Sequence, residues 1–381
     1  MKQVWVVQPY VPDYRVPFFE LLIDALRTDD IALRVVCSEP TGSQAARGDA
    51  ARPPWVTTRP ARTLRLGRRS IVLTYTRKVW AKADAVIVPL MGSSLDANVA
   101  VFLQRRRKVG VWGHIAPYTA PPNPVDAFIE RQLIRGSDEV FAYTPSGAAY
   151  AIDHGADPAA VTTVMNSIDT RSLASALDRV STADIEAFRT RLQLNSRTVA
   201  AYIGGLDESK RIDLLESALD DLWEIDPGIC VVIGGTGDAA SRLSRAEARG
   251  QVRLLGRVDV EQKALLLRSA SVIVNPGRVG LIAVDALVSG RPLVTADWPY
   301  HAPEIEYLNE GDSVFRVPGN PSALARVIAD VSSQETFDGA AGTRWDYPSL
   351  EAMVEHFADG VRRMLQSDSA PIASSGPRIG A

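Results

Sequence analysis

Two doubly wound α/β domains are the fold class that this chain predicts, and three observations carry the prediction. Apolar runs of strand length alternate with apolar-periodic runs of helix length almost from end to end. A chain of 381 residues is too long for one ordinary core and comfortable for two. The alternation breaks once, in the polar connecting stretch at about residues 166–195, and then resumes with the same grammar.

In the first half, residues 4–8 read as a buried strand. Pro17 suits a first helical position, and Phe18, Leu21, Leu22, Ala25 and Leu26 follow at helical spacing. Residues 31–37 form the next strand, so the chain opens as strand–helix–strand, the start of a parallel sheet. Further strands are expected at 85–89, 109–112, 139–143 and 161–165, with helices at 94–104, 125–134 and 146–154. Ser146 is the expected N-cap of the last of these helices. The second half gives strands at 199–204, 229–234, 252–255, 272–275, 293–295 and 314–315, and helices at 211–225, 239–249, 260–269 and 281–289. Residues 348–366 form a final amphipathic helix with Leu350, Met353, Val354, Phe357, Val361 and Met364 on one face. The Ser-, Pro- and Gly-rich tail from Ser367 is expected to be disordered.

Composition narrows the function classes. With 46% hydrophobic and 23% charged residues the balance is that of a soluble globular protein. A net charge of −3 gives no general pull toward nucleic acid. Cys37 and Cys230 both lie in apolar strand-like runs and read as reduced core residues rather than as a disulfide or a metal site. No run reaches the length of a membrane span, and Met1 leads directly into a strand, so the expectation is a cytoplasmic protein.

One segment departs from this balance. Residues 52–82 hold nine Lys and Arg side chains (Arg52, Arg59, Arg62, Arg65, Arg68, Arg69, Arg77, Lys78 and Lys82) and no Asp or Glu, and residues 105–108 add four more. Either these are loop and helix charges balanced by acids close in space, or they form a surface for an anionic lipid or anionic acceptor. Leu64, Leu66, Ile71, Val72, Leu73, Tyr75 and Trp80 are candidates for shallow apolar insertion there, or for the core.

The densest chemical signal lies in residues 272–292. A strand is followed by Asn275, Pro276 and Gly277, and Gly280 opens a helix that Gly290 and Pro292 stop. A strand, a Gly-containing turn and a helix N-terminus make an anion site, because the first helical N–H groups lack partners. Asp285, about one and a half turns into the helix, is either a carboxylate that accepts from a ribose or a solvated surface charge.

The runs 204–215, 234–237, 252–256 and 276–287, with His301-Ala-Pro-Glu-Ile305, occur in an order and spacing that resemble the C-terminal domain of a retaining family 4 (group 1) glycosyltransferase of the GT-B fold. The resemblance covers about 150 residues strongly. Tyr14-Arg-Val-Pro-Phe-Phe19, Trp112-Gly-His114 and Val164-Met-Asn-Ser-Ile-Asp169 extend it into the first half. It implies an N-terminal acceptor-binding Rossmann-like domain at 1–170, a C-terminal nucleotide-sugar-binding Rossmann-like domain at 171–347, a central cleft between them, and a helix at 348–366 returning to the first domain.

The resemblance also implies a nucleotide-sugar donor, a hydroxyl acceptor that is a glycan, a lipid-linked group or a small molecule, retention at the anomeric carbon, and no cofactor or metal. Lys210 matches the family's diphosphate-binding lysine. The family's usual arginine is replaced here by Gly205, with Arg211, Arg257 or Arg278 as substitutes and Arg278 ranked first. Arg211 reads equally as a solvated charge on a first helical turn. The family's two glutamates, eight positions apart, fall on Gly277 and Asp285. The main-chain N–H groups of Val279 and Gly280, together with Glu304, then become the candidates for the sugar; Glu304 reads equally as a surface carboxylate. Gly235, Gly256 and Leu281 complete the expected donor site, and Tyr14 and Arg15 the acceptor site. His114, at a strand C-terminus, faces the ligand crevice of an open parallel sheet and joins Lys210 and Arg278 as a candidate catalytic group. His301 is a further candidate for the sugar. The competing readings are a nucleotide-sugar epimerase and a non-catalytic sugar-nucleotide-binding partner of another transferase.

Overall fold

The computed structural model describes residues 1–40, 43–46, 48–66, 69–103, 107–119, 121, 123–194, 196–334 and 345–367. The expected disordered tail beyond Ser367, Arg68 and residues 105–106 lie outside the described residues.

The first half runs β1 (Lys2–Gln8), α1 (Val16–Arg27), β2 (Ile31–Ser38), α2 (Ser43–Ala46), β3 (Val56–Arg59), β4 (Arg62–Leu66), β5 (Arg69–Leu73), α3 (Arg77–Trp80), β6 (Ala85–Pro89), α4 (Leu95–Leu103), β7 (Lys108–Gly113), α5 (Pro124–Gly136), β8 (Glu139–Ala142), α6 (Pro145–Asp153) and β9 (Val161–Thr163). Seven strands form a parallel sheet in the order β3-β2-β1-β6-β7-β8-β9. The order reverses between β1 and β6, and a crevice forms outside the strand C-termini at such a point. β4 and β5 form a separate antiparallel hairpin, pairing Arg62 with Leu73 through Leu66 with Arg69. The sequence alone predicts no strands in that basic segment.

The second half runs α7 (Thr170–Arg179), α8 (Thr182–Arg191), β10 (Thr198–Ile203), α9 (Ile212–Ile225), β11 (Ile229–Gly234), α10 (Ser244–Ala248), β12 (Val252–Gly256), α11 (Val260–Ser269), β13 (Val272–Val274), α12 (Ile282–Ser289), β14 (Leu293–Ala296), β15 (Val314–Val317) and α13 (Pro321–Ser332). Its parallel sheet has the order β12-β11-β10-β13-β14-β15, reversing between β10 and β13. Strands covered on both faces read as continuous apolar runs, as Ile229–Gly234 does with every residue buried.

Three local expectations need correction. Ser146 is not the N-cap of α6: Thr144 takes that place and Pro145 is the first helical residue, its fixed φ suiting the position. Residues 239–249 are not one helix but a 3-10 turn, Asp238–Leu243, followed by the short α10. α13 had no counterpart in the sequence reading, although Asn320 caps it, accepting from Ala323 N at 2.9 Å, and Pro321 starts it. It packs mainly on α9.

The last helix, α14 (Leu350–Gln366), crosses back to the first sheet and packs on α1, β7, β8 and β9. Its apolar face enters the core with Phe18, Phe19 and Trp112, and Phe357 stacks on Phe141 at 4.3 Å. Arg363 of α14 reaches the buried Glu139 and Thr162. A Cβ at Gly360 would fall 2.5 Å from Phe141 and Thr162, so glycine sets the closeness of this contact. Among the described residues, no helix is long and apolar enough to cross a membrane.

Candidate functional site

Most of the candidate residues gather where the C-terminal ends of the two sheets face each other. From the second sheet, β10 is followed by Gly204 and the 3-10 turn Glu208–Lys210, β13 by the turn Asn275–Gly280, and β14 by the 3-10 turn Pro303–Tyr307. From the first, β7 ends at Gly113-His114.

The β10 and β13 turns are pressed together. Arg278 N–H donates to Ser209 O at 2.8 Å, and the Lys210 ammonium donates to Arg278 O. A Cβ at Gly277 would lie 2.4 Å from the Lys210 carbonyl carbon and 2.5 Å from Ser209 O. The position where the resembling family carries a glutamate therefore has no room for any side chain. Gly205 differs, since a Cβ there would meet the Asp207 carboxylate at 3.2 Å and Thr236 O at 4.0 Å. Close approach also explains Gly235, whose Cβ would fall 1.8 Å from Gly204 O, while Gly256 takes the left-handed φ of +72°.

Expectations for the β13 turn split. Val279 N–H is not open to a ligand: it donates to His301 Nδ1 at 3.0 Å, while His301 Nε2 donates to Ala296 O at 3.0 Å. Both ring nitrogens of His301 are thus spent on main chain, so this histidine braces the turn rather than meeting a sugar. Burial, with Arg316 and Lys210 as lesser causes, pulls its imidazole down to about 4, so it is neutral at ordinary pH. The Val279 side chain is buried and that of Leu281 partly so, both in the core. The Gly280 N–H, at the entrance to α12, has no partner among the described residues.

Glu304 is no surface carboxylate. It is 2% exposed, accepts from Asn166 Nδ2 through Oε1, and leaves Oε2 buried without a partner. Oε2 faces Gly280, where a Cβ would lie 3.9 Å away. Burial pushes this carboxyl above its usual range. Asp285 is also no solvated charge: it is 6% exposed and its Oδ1 accepts from Lys263 Nζ of α11 at 2.8 Å.

The arginines divide. The Arg278 guanidinium bridges the walls, with Nη2 donating to Thr119 O of the first domain at 2.7 Å and Nε to Tyr300 O at 3.3 Å. Arg257 also crosses, to Asp13 Oδ2 at 3.0 Å and Gly48 O at 2.7 Å. Arg211 is not a solvated first-turn charge: it holds a left-handed φ of +52° before α9 and lies over the Trp298 ring at 5.0 Å. Arg15 is 4% exposed, boxed by Tyr14, Phe18, Trp112 and Tyr143, with Nη2 donating to Asn166 Oδ1 at 2.5 Å. Its fork is thus closed off, unlike that of an open acceptor contact, whereas the neighbouring Tyr14 is exposed.

His114 packs edge-on against Tyr143 at 5.0 Å. Burial, then Arg15 and Arg278, pull its imidazole down to about 4. The site thus sets Lys210 and Arg278 beside a neutral histidine on one wall and, on the other, an open helix N-terminus next to a carboxylate whose second oxygen has no partner among the described residues. That set can hold a polyanion and accept from a hydroxyl next to it. Asn166, Lys263, Thr119 and Tyr300 were not singled out as site residues in the sequence; only Asn166 stood in a quoted motif.

Residues 197–334 match the family described as glycosyl transferases group 1. A phosphatidyl-myo-inositol mannosyltransferase of Mycobacterium leprae is 30% identical over 184 residues, which are 47% of this chain and 48% of that protein. The chain spans less than half the length of the curated relatives it matches. Among solved structures, Anabaena Alr3699/HepE in complex with UDP and glucose superposes with a TM-score of 0.64 at 16% identity, covering 95% of this chain and 99% of that one. The UDP-GlcNAc 2-epimerase from Methanocaldococcus jannaschii does so with a TM-score of 0.59 at 13% identity, covering 95% and 99%. Residues 197–334 thus resemble a glycosyl transferases group 1 domain, and the chain has the α/β fold of two facing Rossmann-like domains found in GT-B structures.

Proposed function

We propose that this chain transfers a sugar from a nucleotide-sugar donor to a hydroxyl acceptor with retention of anomeric configuration. One observation carries the reading: Lys210, the open Gly280 N–H and the unpartnered oxygen of Glu304 converge at the β10–β13 switch point of the group 1 domain. Lys210 and the α12 N-terminus meet the diphosphate, without a metal ion. Gly205, Gly235 and Gly256 let loops approach it, and Asp285, held by Lys263 at one oxygen, offers the other to the ribose. Arg278 clamps the wall across the cleft. In the reaction the bond from the anomeric carbon to the phosphate oxygen breaks as the acceptor oxygen bonds to that carbon on the same face. The departing phosphate oxygen takes the acceptor proton. Donors aimed at this growing negative charge stabilise the transition state more than the ground state. The neutral His114 hydrogen-bonds a sugar hydroxyl from the opposite wall. UDP lies in the HepE structure, which supports a nucleotide ligand for this fold.

Lys210→Ala is expected to weaken nucleoside diphosphate binding by about 1.5–3 kcal/mol, the scale of a hydrogen bond to a charged group. Calorimetry with UDP and GDP measures it, and wild-type affinity in the variant would move the diphosphate elsewhere. An epimerase would isomerise a nucleotide sugar without acceptor, and a non-catalytic partner would bind without turnover. The group 1 match favours transfer over both.

The acceptor in this reading is presented at an anionic membrane surface on the inner face. Of the basic run, Arg59, Arg62, Arg77, Lys78 and Lys82 are exposed, whereas Arg52 is paired with Glu39 at 2.7 Å. The side chains of Arg65, Leu66 and Arg69 lie outside the described residues. Trp80, a candidate for insertion, is instead fully buried, and its indole N–H donates to Thr76. Exposed Leu64 and Tyr75 are joined by Leu95, Phe102, Val125 and Phe128 on the adjoining α4 and α5. Each basic group near anionic lipid contributes about 1 kcal/mol, screened by salt. Sedimentation with anionic vesicles is expected to exceed that with neutral ones at low salt and to fall at high salt; equal partitioning to both would favour a soluble acceptor.

A further inference from the structure

Arg15, Asn166 and Glu304 form a buried chain across the two domains. Arg15 Nη2 donates to Asn166 Oδ1, and Asn166 Nδ2 donates to Glu304 Oε1, over sequence separations of 151 and 138 residues. Each of the three side chains is at most 4% exposed. An asparagine amide has an acceptor end and a donor end of nearly the same shape, so its neighbours decide which way it points. Guanidinium can only donate, so it takes the oxygen end and turns the NH2 toward the carboxylate. With the amide reversed, two oxygens would face each other in a buried site, and Glu304 would lose its partner. The Asn166 main chain is held independently, its carbonyl accepting from Tyr307 OH at 3.3 Å. The box of Tyr14, Phe18, Trp112 and Tyr143 leaves the Arg15 fork little freedom.

We propose that Arg15 is a positioning residue: by fixing the polarity of the Asn166 amide it engages one oxygen of Glu304 and presents the other to a hydroxyl of the donor sugar at the entrance to α12. Asn166 comes from the segment that leaves the first sheet and Glu304 from the second domain, so the sugar contact is complete only while the domains sit together. This inference rests on the nucleotide-sugar reading above. It gives that reading a division of labour: the nucleotide is held by the second domain alone, and the sugar is sensed by both.

The test compares the affinity of UDP with UDP-glucose, and of GDP with GDP-mannose, by calorimetry on the whole chain. In the wild type the sugar of one donor is expected to tighten binding over its nucleoside diphosphate. Asn166→Ala and Arg15→Met are expected to leave nucleoside diphosphate affinity within about twofold while cutting the sugar increment at least about fivefold, a loss of one hydrogen-bond contact. Adding Arg15→Met to Asn166→Ala is expected to cause no further loss of the increment, because both act through one amide. A merely structural role would lower the melting temperature and both affinities together, and additive losses would overturn the relay. Should Arg15→Met fail to fold, Arg15→Gln, which offers a donor and an acceptor and so does not fix the amide's polarity, replaces it in the same cycle. Binding of neither nucleotide by the wild type would sink the proposed function and this inference with it. Nucleotide binding with a sugar increment that survives in the variants would sink the inference alone.

Discussion

Gly277→Ala is expected to lose about 1–3 kcal/mol of stability, the usual cost of overpacking a rigid site, and most of the nucleoside diphosphate affinity with it. The methyl would meet the Lys210 carbonyl carbon at 2.4 Å, Ser209 O at 2.5 Å and Lys210 Cα at 2.6 Å. All three are main-chain atoms, so no rotamer change relieves the contact. The β10 and β13 turns must part, which breaks the Arg278 N–H bond to Ser209 and withdraws Lys210 from the Arg278 carbonyl. Gly277→Glu, which would recreate the charge pattern of the resembling family, is expected to be worse still. Denaturant titration and calorimetry with UDP and GDP measure both effects. An alanine variant with wild-type midpoint and affinity would show that the turns are not packed this way. In this chain a glutamate at that position is excluded by the backbone.

The second large effect concerns His114. His114→Ala is expected to lower turnover about 100-fold or more, the range of a positioned hydrogen-bonding or acid–base group, while nucleoside diphosphate affinity stays close to wild type. The group lies on the first domain's wall, and the candidates for the nucleotide lie on the other. Burial and the Arg15 and Arg278 guanidinium groups hold this imidazole at about 4, so the rate should show no His114 titration between pH 5.5 and 7.5. The linkage has a definite sign. The unfolded imidazole takes its proton near 6.5 and the folded one near 4, so the stability this group supplies is complete above 6.5 and is lost as pH falls toward 4. An acid limb near 6.5 in the rate profile that vanishes in His114→Gln would show that the group is charged in the working enzyme. Full activity in His114→Ala would return it to the packing around Tyr143.

The layered sheets were legible because parallel strands covered on both faces leave unbroken apolar runs, as at residues 229–234 and 272–274. The strand–turn–helix junction was legible for a related reason: turn glycines and a helix entrance lie within a dozen residues of one another, so the places of Gly277, Gly280 and Asp285 in it can be read from spacing. The contacts that complete the site have no such local trace. Asn166 meets Arg15 and Glu304 across more than a hundred residues, and Lys263 reaches Asp285 from a neighbouring helix. His301 looked like a ligand group because a sequence displays an imidazole but not the Val279 N–H and Ala296 carbonyl that occupy it. Trp80 could be read either as an insertion residue or as core, because its basic neighbours conceal that Asp96, outside the run, binds Thr74 and Thr76. The compensation of charge, like the pairing of amides, is a property of space.

The return of α14 to the first sheet has a consequence for the order in which the protein can be built. Phe357, Met353 and Val361 close a core whose aromatic members Phe18, Phe19, Trp112 and Phe141 come from far earlier in the chain. That core stays open on one side until residue 364 has left the ribosome, whereas the strands and helices of the second sheet, ending at residue 332, are already complete by then. The half of the molecule made first is therefore the half finished last, and its aromatic face must be kept from other chains during the interval.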